Sequence, residues 1–195
     1  MGELLIKDGT IISHGEKFRA DVLVADGQIV RVEQDLTASA EAEVISAEGK
    51  YLSAGFIDIH THGGGGADFM DGTVEAYATA LATHACHGTT LLYPTTLSST
   101  TESLNEALQL YQKASQSGLK GAQMGGLHLE GPYFAYEMKG AQDPRYLRNP
   151  EREEYMALLE GVVAEDSGRI ALPLKLDYEN RPRQMVAADG RSAVT

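Results

Sequence analysis

The sequence predicts an α/β fold, a small antiparallel sheet followed by parallel βα units, and three observations carry that expectation. Residues 4–50 alternate short β-rich runs with turn signals. After Leu52 single apolar strands are separated by amphipathic helical stretches. Glycines then punctuate the helix ends.

In the first region the runs LLIKDGTIIS, ADVLVADGQIVRVEQ and EAEVISAEGKYL read as strands, with Asp8-Gly9 and Asp26-Gly27 as hairpin turns, because glycine takes the positive φ such turns need. His14 is expected in a hairpin, facing solvent. In the second region AGFIDIHTH is the first strand, Thr73 to about Ala85 a helix, and TTLLYPTT the second strand. Thr101 to Ser117 is a second helix with Leu104, Leu108 and Tyr111 on one face, N-capped from within Ser98 to Thr101 and stopped by Gly118. MGGLHLEGPY reads as a third strand running into a loop, Pro150 to Val163 as a further helix with Glu151, Glu153 and Glu154 at its positive end, and RIALPLKL as a fourth strand. Beyond Leu176 neither period is clean.

Composition excludes several classes of function. The chain has 195 residues, 43% of them hydrophobic, and a formal net charge of −12. No basic stripe suited to a phosphate backbone is present, so nucleic acid is not expected as a partner. Nothing approaches the ~20 apolar residues of a membrane helix, and the N-terminus lacks the apolar core of a signal peptide. Cys86 is the one cysteine, so a reducing, cytoplasmic setting is expected.

The candidate chemistry begins with His60 and His62, two apart at the end of an apolar strand. Period-2 geometry sends both imidazoles to one face, and in a parallel βα barrel the carboxyl ends of the strands form the active face. Metal binding and simple capping of the strand are both open on the spacing alone. Asp58 lies on the same face, as outer support or deeper packing. Gly63 to Gly66 read either as a loop that lets backbone approach a ligand or as a linker. Glu130 closes the third strand on the face shared with His128. It is either a solvated strand-end charge or a carboxylate that needs a cation among apolar neighbours. His84, Cys86 and His87 fall at a helix end, where histidines favour the dipole.

The run AGFIDIHTHGGGGADFMDGT, the strand GTTLLYPTTLSS and above all GLHLEGPYFAYEMKGAQDP resemble the N-terminal motifs of N-acetylglucosamine-6-phosphate deacetylases in the amidohydrolase superfamily. The likeness runs from about residue 4 to about residue 165. GFIDIHTHG marks only the superfamily, whereas HLEGPY followed by KGAQDP is narrower.

The resemblance implies a partial TIM-like (β/α) barrel of about four βα units over 53–195, preceded by a small β-sandwich portion over 1–52. It implies metal-assisted removal of the acetyl group from N-acetylglucosamine 6-phosphate, a small-molecule amino-sugar phosphate. Glu130 would ligate the retained metal and His60 and His62 a second one, so that one or two divalent ions, zinc or iron, are expected. Ala141 and Gln142 match the segment that contacts the sugar, while Lys139 is not expected to take the bridging role that a lysine fills in other amidohydrolases. The full-length form is expected to be a homodimer. The resemblance also implies two later histidines and a late catalytic Asp. This chain has no histidine after His128, so the Asp is expected beyond residue 195. Where relatives place a strand ending in Ala-Pro-Glu, this chain has Ala171-Leu172-Pro173-Leu174-Lys175. A related amidohydrolase acting on cyclic amides or N-acyl amino acids, and a metal- or partner-binding remnant without turnover, are the alternatives.

Overall fold

The computed structural model describes residues 2–152 and 154, and the backbone of 171–176, 184–186 and 191–194. The described chain divides into two compact units, residues 1–97 with 106–131 and residues 98–105 with 132–195.

The first unit opens with β1 (Glu3–Ser13), β2 (Glu16–Ala25), β3 (Gln28–Glu33), β4 (Glu43–Ser46) and β5 (Tyr51–Leu52), in the order β3-β2-β1-β4 with β5 also on β1. β1, β2 and β3 pair antiparallel, as expected, but β4 and β5 both run parallel to β1, so the sheet is mixed rather than antiparallel. Asp26 and Gly27, at φ 49° and 78°, form the expected hairpin turn. Asp8-Gly9 does not turn the chain. Asp8, at φ 62°, sits where the β1–β2 register shifts, a bulge inside one long strand, and the buried Asp21 carboxylate accepts its N–H at 2.8 Å. The reversal falls instead at His14-Gly15, with φ 52° and 80°, and His14 is exposed as expected. Leu5, Leu23 and Leu36 bury one side of this sheet, and Ile11, Ala20 and Val22 the other.

A parallel sheet follows, built from β6 (Phe56–Thr61), β9 (Thr89–Pro94) and β10 (Gln123–Met124) in the order β10-β9-β6. Between β6 and β9 lie the two-stranded ribbon β7 (Gly63–Gly64) and β8 (Ala67–Asp68) and the helix α1 (Val74–Cys86). The second helix, α2 (Thr101–Gln116), connects β9 to β10. Thr73 caps α1 by accepting the Ala76 N–H at 3.1 Å. Tyr77, Ala80 and Leu81 of α1 pack with Leu92 of β9, Phe69, Ala114 and Ala122 in the core of this layer. Burying a side chain of the size of Leu81 or Leu92 contributes about 1.5–3 kcal/mol, and this cluster holds strand and helix in register. Burial also pushes the Tyr77 phenol above its usual titration range.

The expected third strand is much shorter than the sequence suggests. Regular pairing stops at Met124, and residues 125–131 follow the end of β9 through separate bonds: Gly125 N–H to Leu92 O at 2.9 Å, His128 N–H to Pro94 O at 2.8 Å and Thr96 N–H to His128 O at 3.0 Å. Gly125 and Gly126 lie against the ring of Tyr93, where a Cβ at Gly125 would stand 2.7 Å from it. That close approach replaces an alternating strand.

In the second unit, Thr100 starts α2, its hydroxyl accepting the Ser103 N–H at 3.2 Å. Two 3-10 turns, Tyr136–Met138 and Pro144–Tyr146, follow. The helix expected over 150–163 falls almost wholly on residues outside those described. The expected fourth strand exists as β11 (Ala171–Leu176), but it pairs antiparallel with β12 (Gln184–Val186) and β13 (Arg191–Val194), so it does not extend the parallel sheet. Two short strands thus occupy a stretch whose sequence showed no clean period. No described helix is long and apolar enough to cross a membrane.

Candidate metal centre

His60, near the end of β6, and His62, just past it, meet Glu130 of the segment that follows β10, all within the first unit. The three ligand atoms lie within 4.8 Å of one another. His60 Nε2 stands 3.2 Å and His62 Nε2 3.1 Å from the same Glu130 oxygen, Oε2. The end of β6 and the segment after β10 bring residues about seventy positions apart to one point at the carboxyl edge of the parallel sheet.

Neighbours fix two of these groups. His62 Nδ1 lies 3.2 Å from the Thr95 carbonyl oxygen, which can only accept, so Nδ1 donates and Nε2 is the ring nitrogen turned toward Glu130. Thr95 is fully buried; its N–H donates to Thr61 O at 2.9 Å and its hydroxyl accepts the Thr61 N–H at 3.1 Å. The Thr96 hydroxyl accepts the Glu130 N–H at 3.3 Å. Thr95 and Thr96 therefore seat His62 and Glu130. Sequence reasoning assigned them only to a strand, although two hydroxyls directly after its apolar run were a usable signal.

The donor set fits a divalent cation on three counts. Glu130 Oε2 is buried and, despite the two nearby nitrogens, has no hydrogen bond, because neither ring is aligned to donate to it. An imidazole nitrogen and a buried carboxylate oxygen held 3.1 Å apart without a hydrogen bond are a donor pair that a positive centre would join. Ligand–metal bonds of ~2.0–2.1 Å in a tetrahedral site put ligand atoms roughly 3.3 Å apart, close to the two spacings observed.

The other sequence candidates lie outside this ligand group. Asp58 Oδ1 accepts the His60 N–H at 3.1 Å and is not in the ligand group. His84 Nε2 lies 3.0 Å from Gly63 O and 3.3 Å from Thr61 Oγ1, so it clamps the glycine run to α1; His87 Nδ1 bonds Thr83 O at 2.8 Å, and Cys86 is exposed. The four glycines are not a linker, because they build the β7–β8 ribbon. Gly65 and Gly66, at φ 65° and 85°, turn the β7–β8 ribbon, and Gly63 lies close against the Ala67 carbonyl. Lys139 donates to Gly140 O at 3.3 Å and Gln142 O at 3.2 Å. In the second unit Gln142 is buried, its Oε1 accepting the Ser98 N–H at 2.8 Å, while Ala141 is exposed.

Parallel strands whose ends present His-x-His and a carboxylate place the chain among metal-type amidohydrolases. No family model matches it. It is 32% identical over 155 residues to N-acetylglucosamine-6-phosphate deacetylase of Bacillus subtilis (strain 168), covering 77% of this chain and 39% of that protein. It is 31% identical over 156 residues to N-acetylgalactosamine-6-phosphate deacetylase of Escherichia coli O157:H7, covering 80% of this chain and 38% of that one. Among solved structures it matches N-acetylglucosamine-6-phosphate deacetylase from Pasteurella multocida with a TM-score of 0.73 and 25% identity, over 82% of this chain and 42% of that chain. The chain belongs to the N-acetylglucosamine-6-phosphate deacetylase family and matches its N-terminal part. It spans 39% of the length of the first of these relatives.

Proposed function

We propose that the protein takes part in hydrolytic removal of the acetyl group from N-acetylglucosamine 6-phosphate, giving glucosamine 6-phosphate and acetate in amino-sugar catabolism. The carrying observation is the convergence of His60, His62 and Glu130 on one point, with the Glu130 oxygen buried and without a hydrogen bond. These three residues would hold a divalent ion, zinc first by donor type and iron second, with a second ion as the family resemblance implies. When bound, such an ion supplies Lewis acidity toward an amide carbonyl and its attacking water. The chain's own residues do the positioning: Thr95 orients the His62 ring, and Thr96 seats the Glu130 backbone.

Ala141 and Gln142 are the proposed sugar contacts. Because the buried Gln142 side chain is engaged by Ser98, the exposed Ala141 is the more available partner. Residues 53–195 are proposed as part of a TIM-like barrel and 1–52 as part of a β-sandwich, in a cytoplasmic enzyme that is a homodimer at full length. The single cysteine and the family likeness support that setting.

A second reading, binding without turnover, rests on the ligand group of the described residues, which holds three donors, His60, His62 and Glu130. One experiment addresses both readings. Zinc uptake is measured by competition with a chromophoric chelator for the wild type and Glu130→Gln, alongside acetate release from N-acetylglucosamine 6-phosphate and its galacto epimer. About one ion bound by the wild type and at least ~100-fold weaker uptake by the variant are expected. Equal uptake by the two proteins overturns the site. Uptake without acetate release supports the second reading.

A further inference from the structure

His128 belongs neither to the ligand group nor to the contacts that hold Glu130, yet its ring meets the ring of His60 edge to face, with centroids 4.8 Å apart and planes at 87°. Its Nδ1 lies 3.1 Å from the Ile59 carbonyl oxygen, which can only accept, so Nδ1 donates and the ring is tied to the backbone one residue before His60.

His60 differs from its neighbour in how it is held. The His62 ring is fixed by a hydrogen bond to Thr95. Among the described residues the His60 ring has no hydrogen bond; its Nε2 only faces Glu130 Oε2 at 3.2 Å, and the side chain is 45% exposed. Rotation about its side-chain torsions is opposed by two perpendicular rings, His62 at 5.1 Å and His128 at 4.8 Å. Of these, only His128 comes from outside the local His-x-His strand end.

We propose that His128 is a positioning residue that sets the orientation of the His60 imidazole through this ring contact, and so holds Nε2 toward the point shared with Glu130. The consequence for metal uptake rests on the metal reading of the site; the ring orientation itself does not.

The test uses the whole chain and two readouts. In metal-free protein, NMR of the histidine ring protons follows His60 in the wild type, His128→Ala, His128→Phe and His128→Asn. The phenylalanine keeps a ring and drops the hydrogen bond, whereas the asparagine keeps a donor for Ile59 O and drops the ring. Cobalt(II) affinity and the visible spectrum of the cobalt complex are the second readout. Phenylalanine is expected to preserve a ring-current-shifted, single His60 environment and cobalt affinity within ~3-fold of wild type, while alanine and asparagine lose the shift and bind ~10–100-fold more weakly with an altered spectrum. Wild-type behaviour of the alanine variant, rescue by asparagine, or a phenylalanine variant as impaired as alanine overturns the proposal. If the wild type takes up no cobalt, the metal reading falls, and the NMR comparison still decides whether His128 orients His60. Unchanged backbone NMR shifts in the sheet distinguish reorientation from misfolding, and the phenylalanine variant secures the comparison should alanine fail to fold.

Discussion

Arg148 and Glu154 place one carboxylate under the control of one guanidinium in the second unit. Arg148 donates to Glu154, to Ser99 O at 2.9 Å and to Tyr146 O at 2.9 Å, and the Thr101 hydroxyl donates to Glu154 at 2.7 Å. The hydrogen-bonded guanidinium holds the Glu154 carboxyl at about 2, against an ordinary value of 4.5. A depressed folded-state value means that the stabilisation is complete above pH 4.5 and is lost as pH falls toward 2. After discounting for the partial access of both side chains to solvent, about 2 kcal/mol is at stake. Urea unfolding at pH 6 and pH 3 should show somewhat more than half of that loss in the wild type. Glu154→Gln should be less stable at pH 6, because Arg148 is left unpaired, and should lose less on acidification. Asp143 is held at about 2 by Arg145 in the same way, but that pair is exposed and adds little. At this scale the sequence was most legible where residue type alone carries the chemistry. His60, His62 and Glu130 stand out by residue type as candidate ligands, though spacing alone leaves strand capping open, whereas the roles of Thr95, Thr96 and His128 depend on which backbone atoms a distant segment brings alongside.

The β7–β8 ribbon shows what an element adds to the residues it carries. It begins one residue after His62, whose carbonyl accepts the Phe69 N–H at 2.9 Å, and α1 pins it through His84. A Cβ at Gly63 would lie 2.0 Å from Ala67 O, a backbone atom that cannot rotate away. Gly63→Ala should therefore open the ribbon, shift His62 and weaken zinc binding by about tenfold or more, the size of effect seen when the groups supporting a ligand are disturbed. Chelator competition reads the affinity, and retained helical circular dichroism shows that α1 is intact. Element identity was readable wherever period and caps agree, as in α1 with Thr73 and in β9. It failed where one dipeptide serves two geometries: Asp8-Gly9 and Asp26-Gly27 look alike, yet only the second lies between strands that part, because the bulge at Asp8 is stabilised from afar by Asp21. The third strand was over-read for a related reason. Its alternating residues are real, but Gly125 and Gly126 against Tyr93 divert the backbone before a ladder forms.

For the molecule as a whole, the consequential feature is that the candidate centre stands on a thinly supported strand. β6 pairs with β9 alone among the described residues, and its apolar side chains Phe56, Ile57 and Ile59 are 67%, 64% and 69% exposed. The sequence reads this run as a buried barrel strand, and the pairing on one side agrees. Its other edge is unpaired among the described residues, which agrees with the unpaired strand edges and exposed apolar faces that a partial barrel implies. The end of β6 is accordingly held by polar links to β9 and to residues 128–130 rather than by a surrounding core. A cation gripped by His60, His62 and Glu130 would tie β6 to the segment after β10 and bind only the folded arrangement. At a concentration one hundred times its dissociation constant it should add about 2.7 kcal/mol. For a chain of this size that corresponds to a rise in melting temperature of roughly 5 to 10 °C. Thermal unfolding with zinc and with a chelator should show the difference in the wild type and its absence in Glu130→Gln; an equal rise in the variant would place the bound ion somewhere other than these three side chains.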